Sequence, residues 1–135
     1  MKTLYSLLIL AFASVSLSVA YAAEPQTDAQ AAKEVADNWS LVSSGTYWDC
    51  DNFVCPVSNQ TTVLACFEVP DCPNVTDAEI RAAVNRVLTQ FCEEFKRCCE
   101  ANGCDSGDCV LVTYDHFCAS QIRLCVEVTI RYKCG

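Results

Sequence analysis

The residues with the most evident chemistry in this 135-residue chain are its cysteines. There are twelve, and all lie in the second two thirds of the sequence: Cys50, Cys55, Cys66, Cys72, Cys92, Cys98, Cys99, Cys104, Cys109, Cys118, Cys125 and Cys134. This density is typical of a small secreted domain whose thiols are oxidised. The even number predicts six disulfides, but the spacing leaves their pairing open.

Metal binding is the competing chemistry for clustered cysteines. Structural zinc sites commonly use close pairs such as Cys-x-x-Cys, often together with histidines. No Cys-x-x-Cys pair occurs here, and His116 is the single histidine. We therefore predict no metal and no other cofactor. The adjacent Cys98 and Cys99 are expected to bond to two different partners, because a bridge between neighbours would strain a helix.

The polar residues do not form a pattern typical of an enzyme. Asp115 and His116 are adjacent, so their side chains should point to opposite sides of an extended segment, and a carboxylate-oriented base is not implied. The segment 104–109 contains Asp-Ser-Gly but is better explained as a turn closed by two cysteines. It lacks the ligand spacing of a calcium loop. We therefore predict no catalytic residues.

The N-terminus has the features of a signal peptide. Lys2 supplies a positive charge, residues 4–19 are apolar or small, and Ala20-Tyr21-Ala22 matches the pattern that signal peptidase cleaves. No later run approaches the roughly 20 apolar residues that a membrane-spanning helix needs. We predict that residues 1–22 are removed and that the protein is secreted to the extracellular space, without membrane insertion.

The charge balance limits the possible partners. The formal net charge is −8 at pH 7, and the longest run of basic residues is Lys96-Arg97. A protein surface that binds nucleic acid or an anionic membrane needs clustered lysine and arginine. Neither is therefore an expected partner.

Three Asn-x-Ser/Thr triplets are candidate glycosylation sites. They begin at Asn38, Asn59 and Asn74. A glycan on any of them requires that the segment lie at the surface. Asn59 is the favoured acceptor because the polar stretch 58–62 is expected to form a loop.

One long helix is the clearest predicted element. Thr76 and Glu79 form a capping box at its start, and Asn102-Gly103 supplies a left-handed stop after about Ala101. The apolar positions recur every three or four residues, while Arg86, Gln90, Glu93 and Arg97 fall on the opposite side. The apolar positions are Ile80, Val84, Val87, Leu88, Phe91, Phe95 and Cys98.

Alternating apolar and polar residues predict strands. The alternation is nearly complete over 121–134, and 109–114 and 61–69 are also β-rich. Together these elements predict an α+β fold: a small disulfide-rich domain in which one long amphipathic helix packs on an antiparallel β-sheet. We assign this domain to residues 46–135.

Residues 23–45 contain no cysteine and form a separate polar segment. Thr27 could cap a short helix there. A docked helix, a mobile arm and a removable pro-segment are the three alternatives. We favour a mobile arm, possibly helical, because no disulfide can hold it.

The predicted packing constrains the cysteines. Cys92, Cys98 and Cys99 on the helix should reach the sheet or its loops. Cys125 lies on the polar side of its strand and must bond to a partner on the outer face, so part of that face should be either covered or cross-strapped. The segment Trp48–Cys55 is the candidate cover of that face.

These observations favour a rigid extracellular binding protein whose partner is an extracellular or cell-surface protein, for example a ligand, a toxin-like effector or an inhibitor. The candidate contact residues are Tyr47, Trp48 and Phe53, because aromatic residues supply much of the energy at interfaces. Simple packing is the alternative role for these three. Asp105 and Asp108 are weaker candidates. An extracellular structural or matrix protein and a small secreted hydrolase remain alternatives, and the oligomeric state is left open.

Overall fold

The computed structural model describes residues 27–43 and 47–134, so the predicted signal peptide lies outside the described residues. The chain forms two helices and four strands, with short 3-10 turns at Cys50–Asn52 and Cys72–Asn74. In chain order the elements are α1 (Asp28–Asp37), β1 (Ser40–Ser43), β2 (Asn59–Glu68), α2 (Asp77–Ala101), β3 (Gly107–Ser120) and β4 (Arg123–Cys134).

The four strands form one antiparallel sheet in the order β1-β2-β4-β3. β2 and β4 pair without interruption from Asn59 opposite Tyr132 to Glu68 opposite Arg123. Pairing of β3 with β4 shifts register near Val112 and again between Cys118 and Ser120. Both helices pack on one face, here called the inner face. The predicted α+β fold is confirmed, with one additional helix.

The long helix has the predicted ends. The Thr76 hydroxyl accepts from the Glu79 backbone N–H, and the Glu79 carboxylate accepts from the Thr76 N–H. At the other end Gly103 has a φ of 69°, the left-handed conformation that glycine adopts readily. The Cys104 N–H donates to the Cys99 carbonyl at 2.8 Å, and the Gly103 N–H donates to the Glu100 carbonyl at 3.2 Å. These two bonds define a Schellman motif.

The core lies between α2 and the inner face of the sheet. Alternation along β4 places Leu124, Val126, Val128 and Ile130 on this face, each at most 1% exposed. The apolar stripe of α2 covers them, as the helical period requires. Each such side chain contributes about 1.5–3 kcal/mol by leaving water. The fold therefore depends on one apolar layer between a helix and a sheet.

The N-terminal helix is docked, which corrects the expectation of a mobile arm for the described part of 23–45. Ala32, Ala36 and Trp39 are buried against α2 and the sheet. Nη1 of Arg86 donates to the carbonyls of Ala36, at 2.9 Å, and Trp39, at 2.8 Å. The guanidinium lies 5.2 Å from the centre of the Phe67 ring. Arg86 is thus half-buried beneath the end of α1 and does not face solvent as predicted.

Replacing Arg86 should detach α1. We expect Arg86→Gln to lower the free energy of unfolding by about 1.5–3 kcal/mol, the range for hydrogen bonds made by a charged group. Amide exchange should accelerate most over Asp28–Asp37. Urea unfolding with intact disulfides and hydrogen exchange measure both effects. The exposed Arg81→Gln is the control and should change stability by at most about 0.5 kcal/mol. Unchanged exchange protection of α1 in Arg86→Gln would contradict this account.

Candidate functional site

All twelve cysteines are paired, which confirms the predicted six disulfides. Their Cα–Cα distances lie between 4.0 and 6.2 Å. The pairs are Cys50–Cys98, Cys55–Cys104, Cys66–Cys125, Cys72–Cys118, Cys92–Cys109 and Cys99–Cys134.

Three of the disulfides originate on α2, as predicted. Cys92 bonds to β3 and Cys99 to the end of β4, whereas Cys98 bonds to the segment that precedes β2. The neighbours Cys98 and Cys99 therefore connect the helix to two different parts of the domain.

Cys125 bonds on the outer face of the sheet, but the expected cover is wrong. Its partner is Cys66, directly opposite on β2. The segment Trp48–Cys55 lies elsewhere: the Trp48 ring is 5.1 Å from the Phe95 ring and 4.9 Å from the Tyr132 ring, and these belong to the core side. A cross-strand bridge satisfies the polar-side cysteine without any cover. In the described part of the chain, both helices lie on the inner face. On the outer face the Cys66–Cys125 disulfide is itself buried, whereas Leu64 and Phe117 beside it are exposed.

The predicted contact residues Tyr47, Trp48 and Phe53 are half-buried in an aromatic cluster. Trp48 also contacts Phe91, with ring centres 5.0 Å apart, and its Nε1 donates to the Phe91 carbonyl at 3.3 Å. The Phe53 ring is 5.8 Å from Trp48. The cluster closes one end of the helix–sheet layer, so these residues have a packing role. Their role in binding stays a prediction.

Tyr47 has an unusual hydroxyl. The oxygen is buried and has no hydrogen-bond partner among the described residues. Burial, together with the negative charge of Glu94, raises the pKa of the phenol. Glu94 accepts from the Tyr47 backbone N–H at 3.3 Å, which holds the carboxylate near the ring. A buried hydroxyl without a partner opposes folding.

Removing this hydroxyl should be harmless or stabilising. We expect Tyr47→Phe to raise the free energy of unfolding by about 1 kcal/mol near neutral pH. Because the folded state retains the phenol proton more strongly than the unfolded chain, wild-type stability should fall as pH rises beyond about 10, the ordinary pKa of tyrosine. The Tyr47→Phe variant should lose less stability over the same rise in pH. Urea unfolding from about pH 8 to about pH 11 tests both statements. Equal losses in the two proteins would contradict the second.

The other polar candidates do not converge. His116 and Asp115 lie on opposite faces of β3, since His116 is opposite Val126 and Asp115 is opposite Glu127. Asp108 lies on the outer face, opposite Lys133. In the described ranges the one ion pair joins Lys33 to Asp37 at 2.6 Å. The geometry thus supplies no nucleophile oriented by a base around His116.

All three glycosylation candidates are exposed. The Nδ2 of Asn38 donates to the Glu34 carbonyl at 2.9 Å, and that of Asn74 donates to the Asp71 carboxylate. Asn59 begins β2, so the expected loop over 58–62 is wrong. The β-branched Thr61 and Thr62 favour a strand, and Asn59 and Gln60 extend it by pairing with Tyr132 and Arg131 on β4. Glycosylation itself stays a prediction.

The outer face carries the best candidate for a binding surface. Leu64 is 51% exposed and Phe117 is 43% exposed. The Cys66–Cys125 disulfide lies beside both, because Phe117 is opposite Cys125 and Leu64 is two residues before Cys66. Asp115 and Glu127 complete the group. We call Leu64, Phe117, Asp115, Glu127 and this disulfide the outer-face patch.

The two carboxylates of the outer-face patch have no lysine or arginine at a neighbouring position of the sheet. Asp115 and Glu127 are directly opposite, and Leu64 is opposite Glu127 on its other side. The remaining same-face neighbours of Glu127 are uncharged: Thr62, Cys66, Thr113, Phe117, Cys125 and Thr129. Like charges in direct cross-strand positions are destabilising. The stability of the fold therefore does not explain why Asp115 and Glu127 are placed opposite each other.

Sequence reasoning missed the outer-face patch. The alternation along β2 and β4 places Leu64 and Glu127 on the polar side of their strands, which was the available signal. The contribution of β3 depends on the register shift near Val112, because that extra residue decides which side Phe117 occupies. A one-residue change of register would send Phe117 to the inner face.

Removing one of the two opposed charges should stabilise the sheet. We expect Glu127→Gln to raise the free energy of unfolding by about 0.2–1 kcal/mol. The gain should shrink in high salt, because exposed charges are screened. Asp108→Asn is the matched control: it removes an outer-face carboxylate opposite Lys133, so stability should stay the same or fall. Urea unfolding at two salt concentrations distinguishes them, and a destabilised Glu127→Gln protein would contradict this account.

No protein-family model matches the chain, and no curated protein or solved structure matches it. Among the described residues, no helix is both long and apolar enough to cross a membrane. The six disulfides fit a small, stabilised extracellular protein.

Proposed function

We propose that the protein is a secreted, disulfide-stabilised binding protein that acts by protein–protein recognition through its outer-face patch. The observation that carries the proposal is the apolar surface that Leu64 and Phe117 expose on the outer face of the sheet, beside a buried disulfide. Exposed apolar groups surrounded by polar residues are typical of interaction sites. The cysteine content and the features of residues 1–22 support secretion.

Rigidity supports a binding role. Cys66–Cys125, within the outer-face patch, joins the two central strands, and Cys92–Cys109 connects β3 to α2. The backbone of a sheet held in this way loses little freedom when a partner docks. Preorganisation of this kind lowers the entropic cost of association.

The charges indicate the chemistry of the partner. Asp115 and Glu127 repel each other in the free protein, so a lysine or arginine placed between them would gain from both. Leu64 and Phe117 flank this position and favour an apolar residue next to the cation. The partner that fits is therefore an extracellular or cell-surface protein that presents a basic residue beside an apolar one.

The dimensions of the face set the expected strength. Ten paired positions of β2 and β4 extend about 33 Å, and three strands span about 14 Å. The resulting area of roughly 460 Å² is below the 800 Å² or so that each partner buries in a standard interface. Binding through this face alone should therefore be weak and reversible.

A structural protein of an extracellular matrix is the second candidate function. The supporting observation is β3, a 14-residue strand at the edge of the sheet. It contains no lysine, arginine or proline, the residues that usually block pairing between sheet edges. Self-association through β3 would be the property that distinguishes this function from binding to a different protein.

Chemical crosslinking with matched variants tests the proposal. The full chain is expressed in a secreting eukaryotic cell, and the oxidised product is used as bait on soluble and membrane extracellular fractions. We expect one saturable partner that is lost in Leu64→Lys and in Phe117→Lys. It should be retained in Val57→Lys, which makes the same change at an 87% exposed residue outside the patch.

Three experimental outcomes would argue against the proposed binding function. Loss of binding in all three variants, or in none, would exclude the outer-face patch as the contact. Concentration-dependent assembly of the protein with itself, measured by analytical ultracentrifugation, would favour the structural candidate. An enzymatic activity abolished by His116→Ala would favour the hydrolase.

A further inference from the structure

Two disulfides meet just beyond the C-terminal end of α2. They are Cys55–Cys104 and Cys99–Cys134. The sulfur atoms of Cys55, Cys104 and Cys134 all lie within 4.8 Å of one another. No other three cysteine sulfurs in the described ranges are grouped in this way. We call Cys55, Cys99, Cys104 and Cys134 the sulfur cluster.

Backbone hydrogen bonds hold the sulfur cluster together independently of its disulfides. The Schellman motif fixes Cys104 against Cys99 through the 2.8 Å bond between the Cys104 N–H and the Cys99 carbonyl. The Cys134 N–H donates to the Pro56 carbonyl at 2.9 Å, which holds the residue after Cys55 against the end of β4. The nearby Cys50–Cys98 disulfide anchors the same segment to the helix. Opening one disulfide of the cluster therefore leaves the four sulfurs close.

Access to the sulfur cluster is unequal. Cys55 is exposed and Cys104 and Cys134 are half-buried, whereas Cys99 is only 1% exposed. A thiol from solution can reach Cys55 but cannot reach Cys99 while the domain is folded. The Cys99–Cys134 disulfide can thus be attacked from inside the cluster more readily than from solution, since thiol–disulfide exchange depends on access to the sulfur.

We propose that the sulfur cluster is a thiol–disulfide exchange site that passes the opening of Cys55–Cys104 on to Cys99–Cys134. In the first step an external thiolate attacks the Cys55 sulfur, forms a mixed disulfide with it and releases Cys104 as a thiolate. In the second step Cys104 attacks the Cys134 sulfur, forms Cys104–Cys134 and releases the Cys99 thiolate, which takes a proton from water. The number of disulfide bonds is unchanged after these two steps.

A second external thiol completes the reaction. It attacks the mixed disulfide on Cys55 and leaves as the oxidised external disulfide, with Cys55 as a thiol. Overall, two external thiols are oxidised and one protein disulfide is reduced. The two protein thiols are then Cys55 and Cys99. A protonated cysteine is a small apolar residue, so the Cys99 thiol suits its buried position.

The test begins with a variant that creates the exchanging thiol without any reductant. Cys55→Ser leaves Cys104 unpaired beside Cys134. The protein is separated into its disulfide isomers at acidic pH, where exchange stops because the thiolate is absent, and one isomer is returned to mildly alkaline pH. Free thiols are then blocked by N-ethylmaleimide and located by peptide mass spectrometry.

The proposal expects the label to distribute between Cys104 and Cys99 over minutes to hours, the time scale of uncatalysed disulfide rearrangement. Either isolated isomer should reach the same distribution. Cys72→Ser is the matched control, since it leaves Cys118 unpaired in a part of the chain that lacks such a sulfur cluster. Its label should stay on Cys118. Label confined to Cys104 in Cys55→Ser would overturn the proposal.

The wild-type protein provides a second measurement that does not depend on the variant's folding. Limited treatment with reduced glutathione, followed by acid and N-ethylmaleimide, should give a glutathione adduct on Cys55. The same molecules should carry label on Cys99 and a peptide linked through Cys104–Cys134. Adducts on Cys55 accompanied by label on Cys104 alone would overturn the proposal, as would first opening of any disulfide outside the sulfur cluster.

Discussion

The domain depends on the covalent attachment of the C-terminal half of α2 to three separate parts of the chain. Cys92, Cys98 and Cys99 connect this helix to β3, to the segment before β2 and to the end of β4. Each connection restricts the unfolded chain and thereby stabilises the folded state by about 2–4 kcal/mol. These covalent connections add to the stability of the single apolar layer between the helix and the sheet. The helix therefore acts as the common anchor of the fold.

This anchoring divides the sheet into two unlike faces. The inner face is filled by the apolar stripe of α2, by α1 and by the aromatic cluster around Trp48. Arg86 extends the same arrangement by joining the end of α1 to α2 through two carbonyl hydrogen bonds. Since every described helix lies on the inner face, no described helix covers the outer face, where Leu64 and Phe117 remain exposed. The binding surface proposed above thus follows from where the helices are tied.

Local signals in the sequence predicted the parts of the fold that depend on neighbours in the chain. The capping box at Thr76, the stop at Gly103 and the alternation of β4 were all correct, because each is satisfied within a few residues. A docked α1 was one of three alternatives but not the favoured one, because its main polar contact, Arg86, is 50 residues away from Ala36. The disulfide pairing and the position of Trp48 could not be predicted from local signals either, since both depend on the tertiary arrangement.

The outer-face patch is the place where folding requirements explain the sequence least. A sheet that only needed solubility would place polar or oppositely charged pairs at these positions, as Asp108 and Lys133 do on the same face. Leu64 and Phe117 instead expose apolar surface, and Asp115 faces Glu127 without a cation. Both features cost stability in the free protein and would be relieved by one partner that supplies an apolar group and a positive charge. One partner would thus relieve both the exposed apolar surface and the repulsion between the carboxylates. This is the strongest physical reason to regard the outer face as the functional one.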